Sequence, residues 1–124
     1  MERKEPFRVI IAGTRYFNDY KMLSAYCDKM LSSKAQTHEI TIISGHCYGT
    51  DLLGERYARE KKYSCEIYEA EWARYGRGAG QRRNKQMAEV ADALIAFWNG
   101  ESRGTKGMIE IAKGKGLMIR IKHY

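Results

Sequence analysis

No stretch of this sequence approaches the roughly 20 consecutive apolar residues that a membrane-spanning helix requires. Its first apolar run, Val9 to Ala12, is far too short for the core of a signal peptide. Paired cysteines are missing as well. The three cysteines, Cys27, Cys47 and Cys65, are widely spaced, form no CxxC and are odd in number. That excludes a disulfide framework and points to reduced thiols in a cytoplasm. No group of His, Cys, Asp and Glu has metal-ligand spacing. No Ser-His-Asp arrangement can be drawn, and neither a Walker loop nor a GxGxxG is present. Internal repeats and low-complexity segments are lacking too. These absences leave no expected metal, no expected cofactor and no assigned catalytic residue. Cys47 lies in a glycine-flanked loop but has no assigned base to activate it.

What is present is one domain's worth of chain, residues 1–124, with 44% hydrophobic and 30% charged residues, an ordinary soluble composition able to build a real core. Lysine and arginine outnumber aspartate and glutamate by 22 to 15, a net charge of +7, which raises the local concentration of anions. Either a phosphorylated small molecule or nucleic acid would suit that balance. The cations are scattered (Arg3–Lys4, Lys61–Lys62, Arg74–Arg83, Lys113–Lys122), which argues against nucleic acid.

The hydrophobic pattern alternates between strand and helix. Phe7–Ala12, Glu39–Ile43, Ser64–Tyr68, Ala93–Trp98 and Leu117–Ile121 read as short buried strands. Between them, helical spacing is seen over 20–33, from Thr50 or Asp51 to 62, over 81–90 and over 105–115. Asn18 or Asp19 can cap the first helix. Met22, Leu23, Tyr26, Met30 and Leu31 form its inner face, and Leu52, Leu53, Tyr57 and Ala58 that of the second. Met87, Val90 and Ala91 turn inward on the third, and Met108, Ile109, Ile111 and Ala112 on the fourth. Glu69–Gly80, with its glycines and poor periodicity, reads as a long loop of the kind that often carries function. This β-α alternation predicts a single Rossmann-like, three-layer α/β domain. Its five parallel strands would run in the order 3-2-1-4-5 with helices on both faces.

In that order the connections reverse between strands one and four, and ligands of such sheets bind at the carboxyl ends there. Three loops meet at that point. The first carries Gly13, Thr14 and Arg15. The second, SGHCYGTD, carries Ser44, Gly45, His46, Gly49, Thr50 and Asp51. The third carries Asn99, Gly100, Arg103, Gly104, Thr105 and Lys106. Glycine lets backbone approach a phosphate, and a helix N-terminus offers free N–H groups and a positive dipole end. Arg82 and Arg83, at the start of the third helix, oppose its dipole, a conflict that a ligand phosphate would remove. Asn84 follows them. Trp72 and Tyr75, in the preceding loop, can stack on a base or simply anchor the loop. His46 stands where glycine would be easier. It can contact phosphate, act as acid or base near neutral pH, or merely be exposed.

With GTR, SGHCYGTD, EWARYGRGAGQRRNKQM and ADALIAFWNGESRGTKGM in this order, the chain resembles the YspA/YpsA-related branch of the SLOG superfamily from about Phe7 to Ile121. The W-x-x-Y-G-x-x-A-G-x-x-R-N-x-x-M pattern, Trp72 to Met87, is its most specific part. The resemblance implies a Rossmann-like fold and a nucleotide-derived ligand, such as an ADP-ribose-type or cyclic nucleotide signal. It implies a setting in a bacterial or phage-infected host cell, where relatives sense ligands in phage–host conflict. The superfamily also includes phosphoribohydrolases, which cleave the base from a nucleoside monophosphate. Two departures stand out. The related pattern usually has two glycines in the second loop, whereas here Gly45 is followed by His46. The hydrolases carry a glutamate shortly after the last glycine-threonine pair, whereas here Lys106, Gly107 and Met108 follow and Glu110 comes too late. Their arginine has its match in Arg83.

Three functions are therefore expected, in this order. The first is a non-catalytic binder of a nucleotide-derived molecule, a sensor or a sequestering protein; a chain without an attached effector domain leans towards sequestration. The second is an N-glycosidase in which Asp51, Glu71 or Glu101 replaces the missing glutamate. The third is a single-stranded nucleic-acid binder. Homo-oligomerisation is expected through helix faces, with Tyr26, Met30 and Tyr57 as contributors, and no membrane association.

Overall fold

The computed structural model describes residues 4–124, so Arg3 of the first cation pair lies outside the described residues. The five strands are β1 (Glu5–Gly13), β2 (His38–Ser44), β3 (Ser64–Ile67), β4 (Ala93–Trp98) and β5 (Met118–His123). They form one sheet in the order β3-β2-β1-β4-β5, and every pairing is parallel. β1 is central: Val9 sits opposite Ile42 on one side and Ala93 on the other. The expected fold and strand order are both found.

Strand periodicity divides the core in two. Val9 and Ile11 point to one face with Ile40, Ile42, Ile95 and Phe97, where α1 (Tyr20–Ala35) and α2 (Thr50–Lys61) cover them with Leu23, Cys27, Leu31, Tyr57 and Ala58. Ile10 and Ala12 point to the other with Ile43, Leu94 and Ala96, beneath α4 (Ala79–Val90) and α5 (Arg103–Gly114), which supply Met87, Ala88, Met108, Ile109 and Ala112. Ile10, Ile11, Ile42 and Ile43 are fully buried, each contributing about 1.5–3 kcal/mol of apolar transfer. Consecutive helices therefore lie on the same face on either side of the sheet, and the face changes between β1 and β4.

The helices differ from the sequence reading in instructive places. Asp19 caps α1, its side chain accepting from Met22 N at 3.0 Å. Neither Thr50 nor Asp51 caps α2: the N-cap is Gly49, because both side chains are engaged elsewhere. Of the inner face expected for α2, Tyr57 and Ala58 are buried and Leu53 packs against the core, but Leu52 is 36% exposed; Asp51, Gly54 and Glu55 are buried as well. Tyr57 is fully buried, which removes it as a contributor to any subunit interface. The expected long loop is mostly helical: a single turn, α3 (Trp72–Tyr75), and a 3-10 turn over Gly76–Gly78 lead into α4, which starts at Ala79. Glycine disfavours helix by roughly 1 kcal/mol, but here packing overrides propensity. Ala79 is buried, and a Cβ on Gly80 would lie 3.2 Å from the indole of Trp72.

Candidate functional site

The carboxyl ends of β1 and β4 are tied together before any ligand is considered. Thr14 N donates to Phe97 O at 2.9 Å. The second loop is latched onto the first by the fully buried Thr50, whose Oγ1 donates to Thr14 O at 3.0 Å. Gly49 has φ +78, and a Cβ there would stand 2.0 Å from Arg15 O. Only glycine allows this contact.

These loops and the first turns of α4 and α5 enclose a cavity of about 550 Å³ at the point where the strand order reverses. Arg15, Arg77, Arg83 and Arg103 line it against a single carboxylate, Asp51. The first turn of α5, Arg103 to Thr105, opens into it and brings the positive end of the helix dipole. Ser102 caps that helix by accepting from Thr105 N at 3.4 Å.

Arg82 and Arg83, alike in the sequence, part company. They lie one turn inside α4, not at its start, and successive residues diverge by about 100° around a helix. Arg83 turns inward and is buried. Its Nη1 donates to Gly45 O at 2.7 Å, and its Nε donates to Asn84 Oδ1 at 2.9 Å. Arg82 lies outside, over the Tyr75 ring at 4.2 Å.

Asp51 is buried, and its Oδ2 accepts from Cys47 N at 3.1 Å. Burial raises its carboxyl from the ordinary 3.8 to about 6, although the Cys47 N–H and the Arg83 charge oppose the rise. One helical turn on, Glu55 is buried too and receives Ser44 Oγ at 2.7 Å. His46 donates from Nδ1 to the same Glu55 Oε2 at 2.8 Å. That hydrogen bond, together with the charge of Glu55, holds the imidazole above its ordinary 6.5. His46 has φ +59, a left-handed conformation that residues with a Cβ adopt at a penalty.

Of the residues expected to bind ligand, Gly13, Arg15, Asp51, Trp72, Arg83, Asn84, Arg103, Gly104 and Thr105 line this cavity. His46 faces a second one of about 460 Å³, which shares Arg15, Cys47, Tyr48 and Trp72 with the first. The others have structural partners or lie apart. Thr14, Ser44, Gly49 and Thr50 build the loops. Gly45 sits behind Arg83. Tyr75 carries Arg82. Asn99 folds its own turn, Oδ1 accepting from Glu101 N and Ser102 N at 2.9 Å each, with Gly100 at φ +85. Lys106 is exposed on α5. Of the three carboxylates considered as replacements for the hydrolase glutamate, Asp51 lines the cavity, whereas Glu71 and Glu101 are exposed and do not. Glu110 is exposed as well. The sequence reading missed Tyr48 and Arg77, which line the cavity, and Glu55, which organises its edge. The signal for Glu55 was its four-residue spacing from Asp51, which puts both on one helix face.

Comparison with known proteins agrees with this architecture. The fold is similar to that of DNA processing protein A (DprA) from Streptococcus pneumoniae, an X-ray structure, with a TM-score of 0.71 at 14% identity over 94% of this chain and 50% of that one. This chain thus spans half the length of that protein, and at such identity the likeness shows the fold alone. No curated protein matches the sequence. The family model for YspA, cpYpsA-related SLOG proteins matches residues 7–75, from β1 through α3, including the first two loops of the cavity. The chain belongs to the YspA, cpYpsA-related SLOG family.

Proposed function

We propose that the protein binds a nucleotide-derived small molecule, an ADP-ribose-type or cyclic nucleotide signal, as a sensor or sequestering protein. The supporting observation is the cavity at the strand reversal. Arg15, Arg77, Arg83 and Arg103 converge on it with the α5 N-terminus, and Asp51 is its one lining carboxylate. Such a lining suits a phosphate or pyrophosphate. In this reading the protein works as a homo-oligomer in the cytoplasm of a bacterial or phage-infected cell. Calorimetry and thermal shift with ADP-ribose, cyclic ADP-ribose isomers, cyclic dinucleotides and nucleoside monophosphates test it. A ligand at about 100 times its Kd stabilises the fold by about 2.7 kcal/mol, a clear rise in melting temperature. Folded protein that responds to none of them refutes the reading.

Asp51 favours a second reading, N-glycoside hydrolysis, because a carboxyl raised to about 6 is matched to proton transfer near neutral pH. Base released from a nucleotide, and lost in Asp51→Asn while binding persists, would promote it over the first. A third reading, single-stranded nucleic acid, draws on the likeness in fold to a DNA processing protein. It requires oligonucleotide affinity that falls steeply with salt.

A further inference from the structure

The second cavity is lined by Arg15, His46, Cys47, Tyr48, Leu52 and Trp72. Four of these, Arg15 among them, also line the first, so the two are lobes of one site. The lobes differ in chemistry. The inner lobe has arginines and a helix N-terminus. The outer lobe shares Tyr48 and Trp72 with the inner one, adds Leu52 and His46, and has among the described residues no arginine besides Arg15.

Three observations mark the outer lobe as built. Its apolar groups stand in solvent: Tyr48 is 75% exposed, Trp72 51% and Leu52 36%. Trp72 is nevertheless held in place, its indole resting against Gly80. Finally, His46 adopts a left-handed backbone conformation, and the buried Glu55 grips its Nδ1 at 2.8 Å. A carboxylate that fixes one ring nitrogen orients the other. Here Nε2 has Glu69 Oε1 at 3.9 Å, too far for a hydrogen bond. A strained histidine aimed by a buried acid, beside exposed rings, is an arrangement folding alone does not call for.

We propose that this outer lobe is a second subsite, which receives the planar base of a two-ended ligand whose phosphoryl-sugar end occupies the inner lobe. The base stacks on Trp72 and Tyr48 and packs against Leu52, while the imidazolium form of His46, with both ring nitrogens protonated, donates from Nε2 to an acceptor on the base or its ribose. The connecting pyrophosphate passes Arg15. The ligand class is then a nucleoside diphosphate esterified to a second sugar; a mononucleotide or a sugar phosphate fills only one lobe. This inference rests on the nucleotide reading above and narrows it.

Calorimetric titration of the full chain with ADP-ribose, AMP and ribose 5-phosphate tests it. His46→Gly and Leu52→Ala are the variants, since both residues belong to the outer lobe alone and glycine accepts the φ of position 46. The wild type is expected to bind ADP-ribose at least tenfold tighter than either fragment. Each variant is expected to lose affinity for ADP-ribose, up to about tenfold for the hydrogen bond or the packing contact removed, and to keep that for ribose 5-phosphate. Equal losses for both ligands, or none for either, overturn the second subsite while leaving the nucleotide reading intact. Absence of binding by all three to the folded wild type overturns both. A fold damaged by His46→Gly is recognised by its melting curve, and Leu52→Ala, at an exposed helix position, then decides.

Discussion

Asp51 offers the sharpest test of how the site is built. The substitution Asp51→Asn keeps the side chain's shape and an oxygen to accept from Cys47 N, now at 3.1 Å, and it removes the charge. In the folded protein burial raises the carboxyl from 3.8 to about 6, so the native state holds this proton more tightly than the unfolded chain does. The linkage then has a definite sign: the contribution of Asp51 to stability is fully present below about pH 4 and is lost as pH rises through about 6. A tenfold change in proton affinity corresponds to about 1.4 kcal/mol, so ionised Asp51 destabilises the fold by up to about 3 kcal/mol at neutral pH. Asparagine has no such dependence. The variant should therefore melt close to the wild type near pH 4 and higher above about pH 7, by roughly ten degrees for a domain of this size. Differential scanning calorimetry from about pH 4 to pH 8 reads this directly. A gap that does not change with pH, or a wild type that is the more stable at pH 8, refutes the argument. The first result would mean that pairing with Arg83 balances desolvation, the second that it outweighs it.

Three further outcomes follow from the same geometry. A Cβ on Gly45 would lie 2.8 Å from Arg83 Nη1 and 2.9 Å from Asp51 Oδ2, so Gly45→Ala should displace both side chains, lower stability by about 1–3 kcal/mol in denaturant titration, and abolish anion binding. Affinity for ADP-ribose, whose pyrophosphate does not titrate near neutrality, should rise as pH falls from about 8 to about 5.5. Protonation removes the charge of Asp51, raised to about 6, and adds one at His46, raised above 6.5; calorimetry showing flat or opposite dependence would contradict this. Thr50→Val should cost about 0.5–1.5 kcal/mol, the worth of its 3.0 Å hydrogen bond to Thr14 O, because that carbonyl keeps Phe17 N and Thr50 N as donors; chemical denaturation showing a larger loss would mean that the hydroxyl is the main tie between the first two loops.

How much of this was legible beforehand differs by element. The sheet was, because a central parallel strand needs apolar residues on both faces, and Val9 to Ala12 supplies them alternately to two cores. Its order followed from the alternation of strands and helices. The start of α4 was not legible. Gly78 and Gly80 argue locally for a loop, and only the tertiary contacts of Ala79 and Trp72 make the helix worth forming. The difference between Arg82 and Arg83 was hidden for a similar reason: adjacent arginines are equivalent until the direction of the helix is known. On α2 the apolar residues marked the inward face, and Leu53, Tyr57 and Ala58 keep it. What they did not show is that Asp51 and Glu55 are buried beside it, because Cys47 N, Ser44 Oγ and His46 Nδ1 are there to receive them. A polar network at a helix start can thus widen the buried arc that hydrophobicity alone would choose.

The features that lower stability gather at one end of the sheet. Away from the cavity, charged groups are placed conventionally: Arg8 meets Glu66 at 2.7 Å, Lys61 meets Asp28 at 3.0 Å and Arg56 meets Glu60 at 2.7 Å, all partly in solvent. At the carboxyl ends of β1 and β2, by contrast, Asp51 and Glu55 are buried on consecutive turns of α2, Arg83 is buried beside Gly45, and His46 is held at φ +59. A chain selected for stability alone would have no need to bury Asp51 with its charge or to hold a residue with a Cβ at the φ of position 46. Local rules broken together and next to a cavity indicate that the cavity is what the fold serves. The two exceptions also divide its work. Asp51 and Arg83 set the charge of the inner lobe, which suits phosphate, and His46 with Glu55 shapes the outer one, where the aromatic side chains stand. A ligand that brings only a phosphate would leave His46 and its buried partner without use, whereas a ligand with two ends accounts for both.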